Sequence, residues 1–501
     1  MNAADPVHLV WFKRDLRTVD HAALAAACRA GPVLPLYIAE PSLWQADDAS
    51  AWQWGFVEES LTALGKALAE LGLPLLRLRG EVVDVLEALR QALPLAAIHS
   101  HQETGNALSY ARDRAVAQWS RAHDIAWHEY PQMAVFRGGK RGHWPSRREA
   151  FVSALPATLP ERIIAADIPP LAHAPARWRL FDPGPCRRQR GGRGLGLALL
   201  SGFLDERAAR YRHGLSSPLT AVDACSRLSP HLAWGTLSLR EVTQATRARL
   251  ARLDAFDPHA QRLAHGLHAF ESRLAWHCHF IQKLEQRPEL EHHAPLAAVD
   301  ALRADPNPQW LAAWRDGHTG YPLVDACMAM LRATGWLNFR MRAMLMSFAS
   351  YNLWLPWQLT GQHLARLFVD YEPGIHWPQA QMQSGSTGRN ALRIYDPVKQ
   401  ALELDPHGKF VARWLPVLGK VPLAWRFEPW KMPLDVQMHC GVRIGHDYPA
   451  PCVPWEPTQR AAREQLRACQ PPREARIITP AAPARRSRPQ PAAPQQLALG
   501  F

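Results

Sequence analysis

Two stretches of this chain carry side chains whose types and spacing suit chemistry. The first is Cys225-Ser226-Arg227-Leu228-Ser229-Pro230-His231-Leu232. It offers hydroxyls and backbone N–H groups at a predicted helix start, which suits a phosphate. The second runs from Trp314 through Gly320-Tyr321-Pro322-Leu323-Val324-Asp325 and Thr334-Gly335-Trp336 to Arg340-Met341-Arg342, and on to Asp370. It sets Arg and Asp partners in a helical frame, which suits a planar redox cofactor. A guanidinium beside such a ring favours its reduced, negatively charged form. Taken alone, Arg342 with Asp370 reads as an ordinary buried ion pair, and Ser226 as a plain helix cap.

The elements that must hold these side chains fall into two regimes. Over the first 130 or so residues, short apolar runs at 8–12, 33–39, 73–78, 97–100 and 126–129 predict strands. Amphipathic runs at 21–30, 51–71, 82–92 and 107–122 predict the helices between them. That alternation predicts a doubly wound parallel sheet, Rossmann-like, with helices on both faces. From about 201 to 418 the periodicity is helical, with helices expected at 237–250, 264–285, 322–333 and 337–351. Between the halves lies a Gly-, Pro- and Arg-rich linker, 137–196, with basic pairs Lys140-Arg141, Arg147-Arg148 and Arg187-Arg188. Its Gly191-Gly192-Arg193-Gly194-Leu195-Gly196 does not follow a strand and reads as a flexible loop. From about Pro471 onward the chain, rich in Ala, Pro, Arg and Gln, is expected to be disordered.

The chain has 501 residues, 47% of them hydrophobic, with 20 Trp, enough for more than one core. A formal net charge of +13 favours a polyanion partner such as nucleic acid over the alternative of an Arg-rich genome composition. Eight scattered Cys without a C-x-x-C pair point away from zinc and iron–sulfur sites and fit a reducing cytosol. A signal peptide and a membrane-spanning stretch are not expected.

Together with Leu9-Val10-Trp11-Phe12-Lys13-Arg14-Asp15-Leu16-Arg17, the two stretches resemble the photolyase/cryptochrome family of blue-light flavoproteins, from Val7 to about Trp430. The resemblance implies an α/β antenna-type domain (1–135), a linker (136–200), an all-α FAD-binding domain (201–470) and a tail (471–501). It implies FAD contacts from Tyr211, Ser226, Arg227, Leu228, Ser229, Phe270, Arg342, Asp370, Tyr371 and Glu372. Cys225 stands where the family has Thr, and Phe270 where Trp is usual. In such proteins a light-excited reduced flavin gives an electron to a pyrimidine dimer in DNA, and the damaged nucleotide is extruded into a pocket. Trp276 matches the stacking residue of that pocket. Arg273, His277, Phe339, Arg340 and Met382 fall around it.

Several positions depart from the family pattern. Arg273 replaces a Glu that contacts the damaged bases. Asn338-Phe339 replaces His-Asn, Ala343 replaces Met, and Met382 takes the place of a second aromatic wall. His376 stands where photolyases carry an Asn facing flavin N5; it reads as a proton-exchanging partner or as a core histidine. Of the Trp relay that refills the flavin, Trp357 matches the middle member. The inner member falls on Ala380 and the outer on Ala304, so electrons are expected through Trp354, Trp377 or Trp336. An antenna pigment of folate or deazaflavin type is expected without assignment. Glu103, after the fourth strand, is a contact for it or part of a plain turn. The final Gln496-Leu497-Ala498-Leu499-Gly500-Phe501 resembles peptides that dock repair proteins on the bacterial sliding clamp. Two functions follow: a light-driven DNA photolyase, or a cryptochrome-like photoreceptor with little repair.

Overall fold

Parallel strands buried on both faces need near-continuous apolar runs; 7–12 and 33–39 supply them, while the runs at 76–79 and 126–130 carry charged residues and are partly exposed. The five strands are β1 (Val7–Phe12), β2 (Val33–Ala39), β3 (Leu76–Arg79), β4 (Leu95–His101) and β5 (Ala126–Tyr130), all parallel, in the order β3-β2-β1-β4-β5. The structure is a computed structural model and describes residues 5–138, 143–167, 187–387 and 392–469. Pro35 sits inside β2, where a missing N–H would normally break a ladder. β3 begins opposite Leu36, one residue beyond it. Helices α1 (Ala22–Ala30), α2 (Ala51–Glu70), α3 (Val82–Ala92) and α4 (Ala107–Ala122) connect the strands, and two apolar clusters fill the space around the sheet.

The expected strand at 73–78 starts three residues late for a local reason. Gly72 adopts φ +74°, and the Leu73 N–H returns to the Leu68 carbonyl (2.9 Å), closing the end of α2. Leu73 is therefore the apolar contact of a helix cap rather than the first strand residue. The Gly191–Gly196 run is likewise not a flexible loop. Arg193 opens α6 (Arg193–Gly202), and Gly191 lies so close to α2 that a Cβ there would meet the Phe56 carbonyl. The linker also contains α5 (Trp144–Ser153). Its arginines serve the junction: Arg188 pairs with Glu59 (2.9 Å), and Arg148 is buried. Lys140-Arg141 lies outside the described residues.

The second half is helical. Its helices include α7 (Leu239–Ala251), α8 (Pro258–Gln286), α9 (Ala297–Leu302), α10 (Pro322–Thr334), α11 (Phe339–Ser347), α12 (Trp357–Leu367) and α13 (Pro373–Gln383). Helix α8 begins six residues earlier than its apolar periodicity predicts. Asp257 accepts the N–H groups of His259 and Ala260, and Pro258 occupies the first turn. The helix expected over 337–351 ends at Ser347 and continues as a wide π-turn, Phe348–Asn352. The seven described cysteines are free thiols. Among the described residues no helix is long and apolar enough to cross a membrane.

Candidate functional site

The pair at the centre of the helical half is fixed from several sides. Gly335 ends α10 with φ +64°, and its carbonyl accepts the Val369 N–H (3.0 Å), which sets the chain leading into Asp370. Asn338 anchors the start of α11 by donating to the carbonyls of Leu215 (3.1 Å) and Ser216 (2.8 Å). Arg342 then donates through Nε to the Leu337 carbonyl (2.7 Å) and through Nη2 to Asp370 Oδ2 (2.8 Å). Its guanidinium lies 3.9 Å from the centre of the Phe368 ring. Asp370 is buried, and its Oδ1 has no hydrogen-bond partner.

The expected phosphate segment lies beside this pair. Its helix, Ser229–Ala233, has only five residues, so the side chains before it matter more than a helix dipole. Arg227 has φ +62°, a left-handed conformation that costs a non-glycine residue on the order of 1 kcal/mol. Gln189 holds it there by donating to the Arg227 carbonyl (2.8 Å), and Arg207 donates to the Ser226 carbonyl (3.3 Å). The Ser226 hydroxyl accepts the Leu228 N–H at 3.4 Å, Leu228 is buried, and Ser229 is exposed. The Arg227 guanidinium stacks 3.7 Å over Trp336. Burial drives its pKa down to about 10; Asp370 opposes this, while Arg342 and Arg207 add to it. Burial pushes the Cys225 thiol up to about 11.

Three guanidiniums thus converge where Asp370 is the nearby carboxylate. Among the described residues, Arg227 has no carboxylate within ion-pair distance. A desolvated guanidinium without a counter-ion, next to an orphaned carboxylate oxygen, fits a ligand with anionic oxygens and a ring N–H. The residues present therefore fit a flavin dinucleotide. Tyr211 and Phe270 are buried edge-to-face against Phe203, and Arg273 reaches the Tyr211 hydroxyl.

Tyr371 and Glu372 turn to the junction with the sheet. The Tyr371 hydroxyl donates to Asp48 (2.7 Å), and its carbonyl accepts Arg14 (2.5 Å). Burial raises the Glu372 carboxyl to about 7, with Arg14 at 3.7 Å opposing. His376 donates through Nε2 to the Gly361 carbonyl (2.8 Å). A carbonyl can only accept, so this bond fixes the tautomer and leaves Nδ1 as an acceptor. Burial lowers the His376 pKa to about 4, so the ring is neutral. Burial also brings His277 to about 4, and its Nδ1 is buried without a partner.

Trp276 on α8 and Phe339 at the start of α11 are each 48% exposed. Met382, half-buried, lies on α13, which packs against both helices. Arg273 sits 5.1 Å over the Trp276 ring, and Arg340 donates to Gln400 (3.2 Å). Trp357 is buried, and its indole N–H donates to Asp300 Oδ1 (2.8 Å).

A cavity of about 100 Å³ opens at the carboxyl edge of the sheet, beside the point where strand order reverses between β1 and β4. Lys13, Glu40, Glu103 and Arg112 line it, with Trp44 and Trp234 stacked as walls (5.9 Å). Arg112 bonds Glu103 (2.8 Å) and Glu40 (3.2 Å). Burial raises Glu40 to about 7, with Arg112 opposing. Glu40 Oε2 and Lys13 Nζ are buried without hydrogen-bond partners. Of this set the sequence singles out only Glu103 as a ligand contact; Lys13 falls in the Leu9–Arg17 motif without a role. Lys13 and Glu40 were visible as charges placed directly after apolar strands.

Residues 8–140 match the family model described as DNA photolyase, and residues 270–468 match the FAD-binding domain of DNA photolyase. The deoxyribodipyrimidine photo-lyase of Salmonella typhimurium is 31% identical over 479 residues, covering 89% of this chain and 96% of the relative. Cryptochrome-2 of Arabidopsis thaliana is 28% identical over 529 residues, covering 96% and 81%. The crystal structure of a bacterial class III photolyase from Agrobacterium tumefaciens superposes with a TM-score of 0.80 at 26% identity, over 93% of this chain and 98% of the other.

Proposed function

Because this chain belongs to the DNA photolyase/cryptochrome family, we propose that it is a FAD-dependent, blue-light-driven photolyase acting on pyrimidine dimers in DNA. The observation that carries this reading is the pair of half-exposed aromatic side chains, Trp276 and Phe339, the second lying one helical turn before Arg342 of the partly buried Arg342–Asp370 pair. A half-exposed indole contributes little to a core and suits a base swung out of the duplex. Arg273 over Trp276 adds a cation for the DNA backbone. When bound, FAD supplies the light absorption and the electron that splits the dimer.

The protein residues do the rest. Tyr211, the 226–229 segment and Phe270 seat the dinucleotide, and Arg227 and Arg207 meet its phosphates. Arg342 would favour negative charge on a bound ring, and the unpartnered Asp370 Oδ1 would accept a ring N–H. Neutral His376, with Nδ1 free to accept, would take a hydrogen bond from a bound ring rather than donate one. His277, Arg340 and Met382 border the lesion pocket. Illumination of the reduced protein with a dimer-containing oligonucleotide tests the reading. Restored thymines support it, and their absence with a photoreducible flavin removes it.

The second reading, a cryptochrome-like photoreceptor, is favoured by Arg273 and Phe339, which stand where repairing relatives carry groups that hydrogen-bond the damaged bases. We place an antenna pigment of folate or deazaflavin type in the sheet cavity. Lys13 Nζ and Glu40 Oε2 fit a ligand carrying both donors and acceptors. In the same reading, residues 1–135 form the antenna-type domain, 136–200 the linker, 201–470 the FAD-binding domain and 471–501 the tail. The protein works in the cytoplasm. Gln496, Leu497, Leu499 and Phe501, outside the described residues, dock it on the sliding clamp. Removing the last six residues abolishes a clamp pull-down if this is right, and leaves it intact if not.

A further inference from the structure

The inner relay position falls on Ala380, which carries no indole, yet the space beside it is not empty. Positions 377 and 380 are three residues apart on α13 and share a face. A Cβ on Gly361 of α12 would lie 2.9 Å from Trp377 Cζ3 and 3.7 Å from the Ala380 Cβ. Two small residues, Gly361 and Ala380, thus border one hole, and the Trp377 indole occupies it. Its ring meets Trp357 at 6.0 Å and 72°, edge to face. It also meets His376 at 5.0 Å. His376 in turn packs on Phe368 (6.1 Å), the ring beneath Arg342. An aromatic chain therefore runs without a break from the Arg342–Asp370 pair to Trp357.

The two alternative indoles are poorer donors. Trp336 lies 3.7 Å under the Arg227 guanidinium, and Trp354 lies 4.6 Å under that of Arg303. A cation on the ring face opposes removal of an electron. Among the described residues no cation sits over Trp357 or Trp377. These two differ from each other in one respect. Trp377 Nε1 is buried without a partner, whereas Trp357 Nε1 donates to Asp300 Oδ1 (2.8 Å). The other oxygen of Asp300 accepts the Ala294 N–H (3.0 Å), which keeps Oδ1 on the indole.

We propose that Trp377 replaces the missing inner relay residue from one helical turn earlier, and that Asp300 is the proton acceptor for oxidised Trp357. The inference rests on the flavin lying at Arg342 and Asp370. One electron leaves the Trp377 indole for the photoexcited oxidised flavin, and one electron from Trp357 refills Trp377. An indole that has lost an electron is a strong N–H acid, so the Trp357 Nε1 proton passes to Asp300 Oδ1. Trp357 is left as a neutral indolyl radical and Asp300 as a carboxylic acid. An external thiolate then returns one electron and becomes a thiyl radical, while Asp300 returns the proton. Trp377 has no base within reach, so the hole does not stay there.

The test uses the full chain loaded with FAD, its flavin content fixed first from the visible spectrum. Flash-induced absorption and light-induced electron paramagnetic resonance then report the tryptophan radicals themselves. Trp377→Phe is expected to lower the radical yield by about tenfold or more. The double variant Trp377→Ala with Ala380→Trp, which moves the indole back one turn, is expected to restore it. Asp300→Asn is expected to leave the yield intact and convert the neutral radical into a cation radical that recombines faster. An unchanged yield in Trp377→Phe overturns the relay, and a neutral radical persisting in Asp300→Asn overturns the proton acceptor. A wild-type chain that holds flavin but yields no tryptophan radical overturns the relay and spares the flavin site. A chain that takes up no flavin overturns both.

Discussion

Arg342 Nη2 lies 2.8 Å from Asp370 Oδ2, while the second oxygen of the same carboxylate is buried with no partner. The pair is thus half-satisfied by the protein alone. Arg342 is bonded or stacked to Leu337, Phe368 and Asp370 and is not free to move away. Asp370→Asn would leave a partly buried guanidinium without its counter-charge. The expected cost is about 2 kcal/mol, below that for a fully buried pair because a quarter of the Arg342 side chain is exposed. Denaturant unfolding of the flavin-free protein checks this value, and a loss under about 0.5 kcal/mol would show that the pair does not hold the fold.

Trp276→Ala separates stability from binding. A half-exposed indole on the outer face of α8 is worth little to the fold, so the unfolding free energy should change by less than about 1 kcal/mol. Loss of one base-stacking surface should weaken binding of a dimer-containing oligonucleotide by about 1–3 kcal/mol. Equal weakening on undamaged DNA would place Trp276 outside the lesion pocket.

His376 makes a prediction in pH. Burial holds its pKa at about 4, below the ordinary 6.5 of histidine. Between these values the unfolded chain binds a proton that the folded chain refuses. The contribution to stability is therefore complete above about pH 6.5 and is lost as pH falls through that window toward 4, amounting to up to about 3 kcal/mol. Unfolding curves of wild type and His376→Gln at pH 7.5 and 4.5 (about three units apart) should show the smaller acid loss in the variant. Parallel losses would mean that the ring titrates freely.

Gly361→Ala tests the hole that Trp377 fills. Its new Cβ would approach Trp377 Cζ3 to 2.9 Å, closer than atoms pack. Overpacking of this kind costs about 1–3 kcal/mol. The near-ultraviolet circular dichroism of the Trp357–Trp377 pair should change with it; an unchanged spectrum and stability would mean that the helices separate easily there.

Much of this was legible in the sequence because parallel strands and amphipathic helices leave strong periodic signals. β2 and the helices at 82–92 and 107–122 fall where the apolar pattern places them. The misses share a cause. Leu73 is apolar because it closes a helix end, and Gly191 is small because α2 passes beside it, neither of which periodicity reports. Within the site, Arg342 and Asp370 were readable from their motif. Gln189, which holds the left-handed Arg227, and Asp300, which holds Trp357, lie far away in sequence and became visible only once the chain was folded. Tyr371 and Glu372 adjoin Asp370 in sequence, yet Asp48 and Arg14 engage their side chains at the junction.

The flavin content of the purified chain decides whether Arg342 and Asp370 hold FAD. Its visible spectrum, recorded for wild type and for Arg342→Ala, should show a stoichiometric flavin in the first and a largely lost one in the second. A colourless wild-type chain that takes up no added FAD, or a variant that keeps its full complement, would contradict the account.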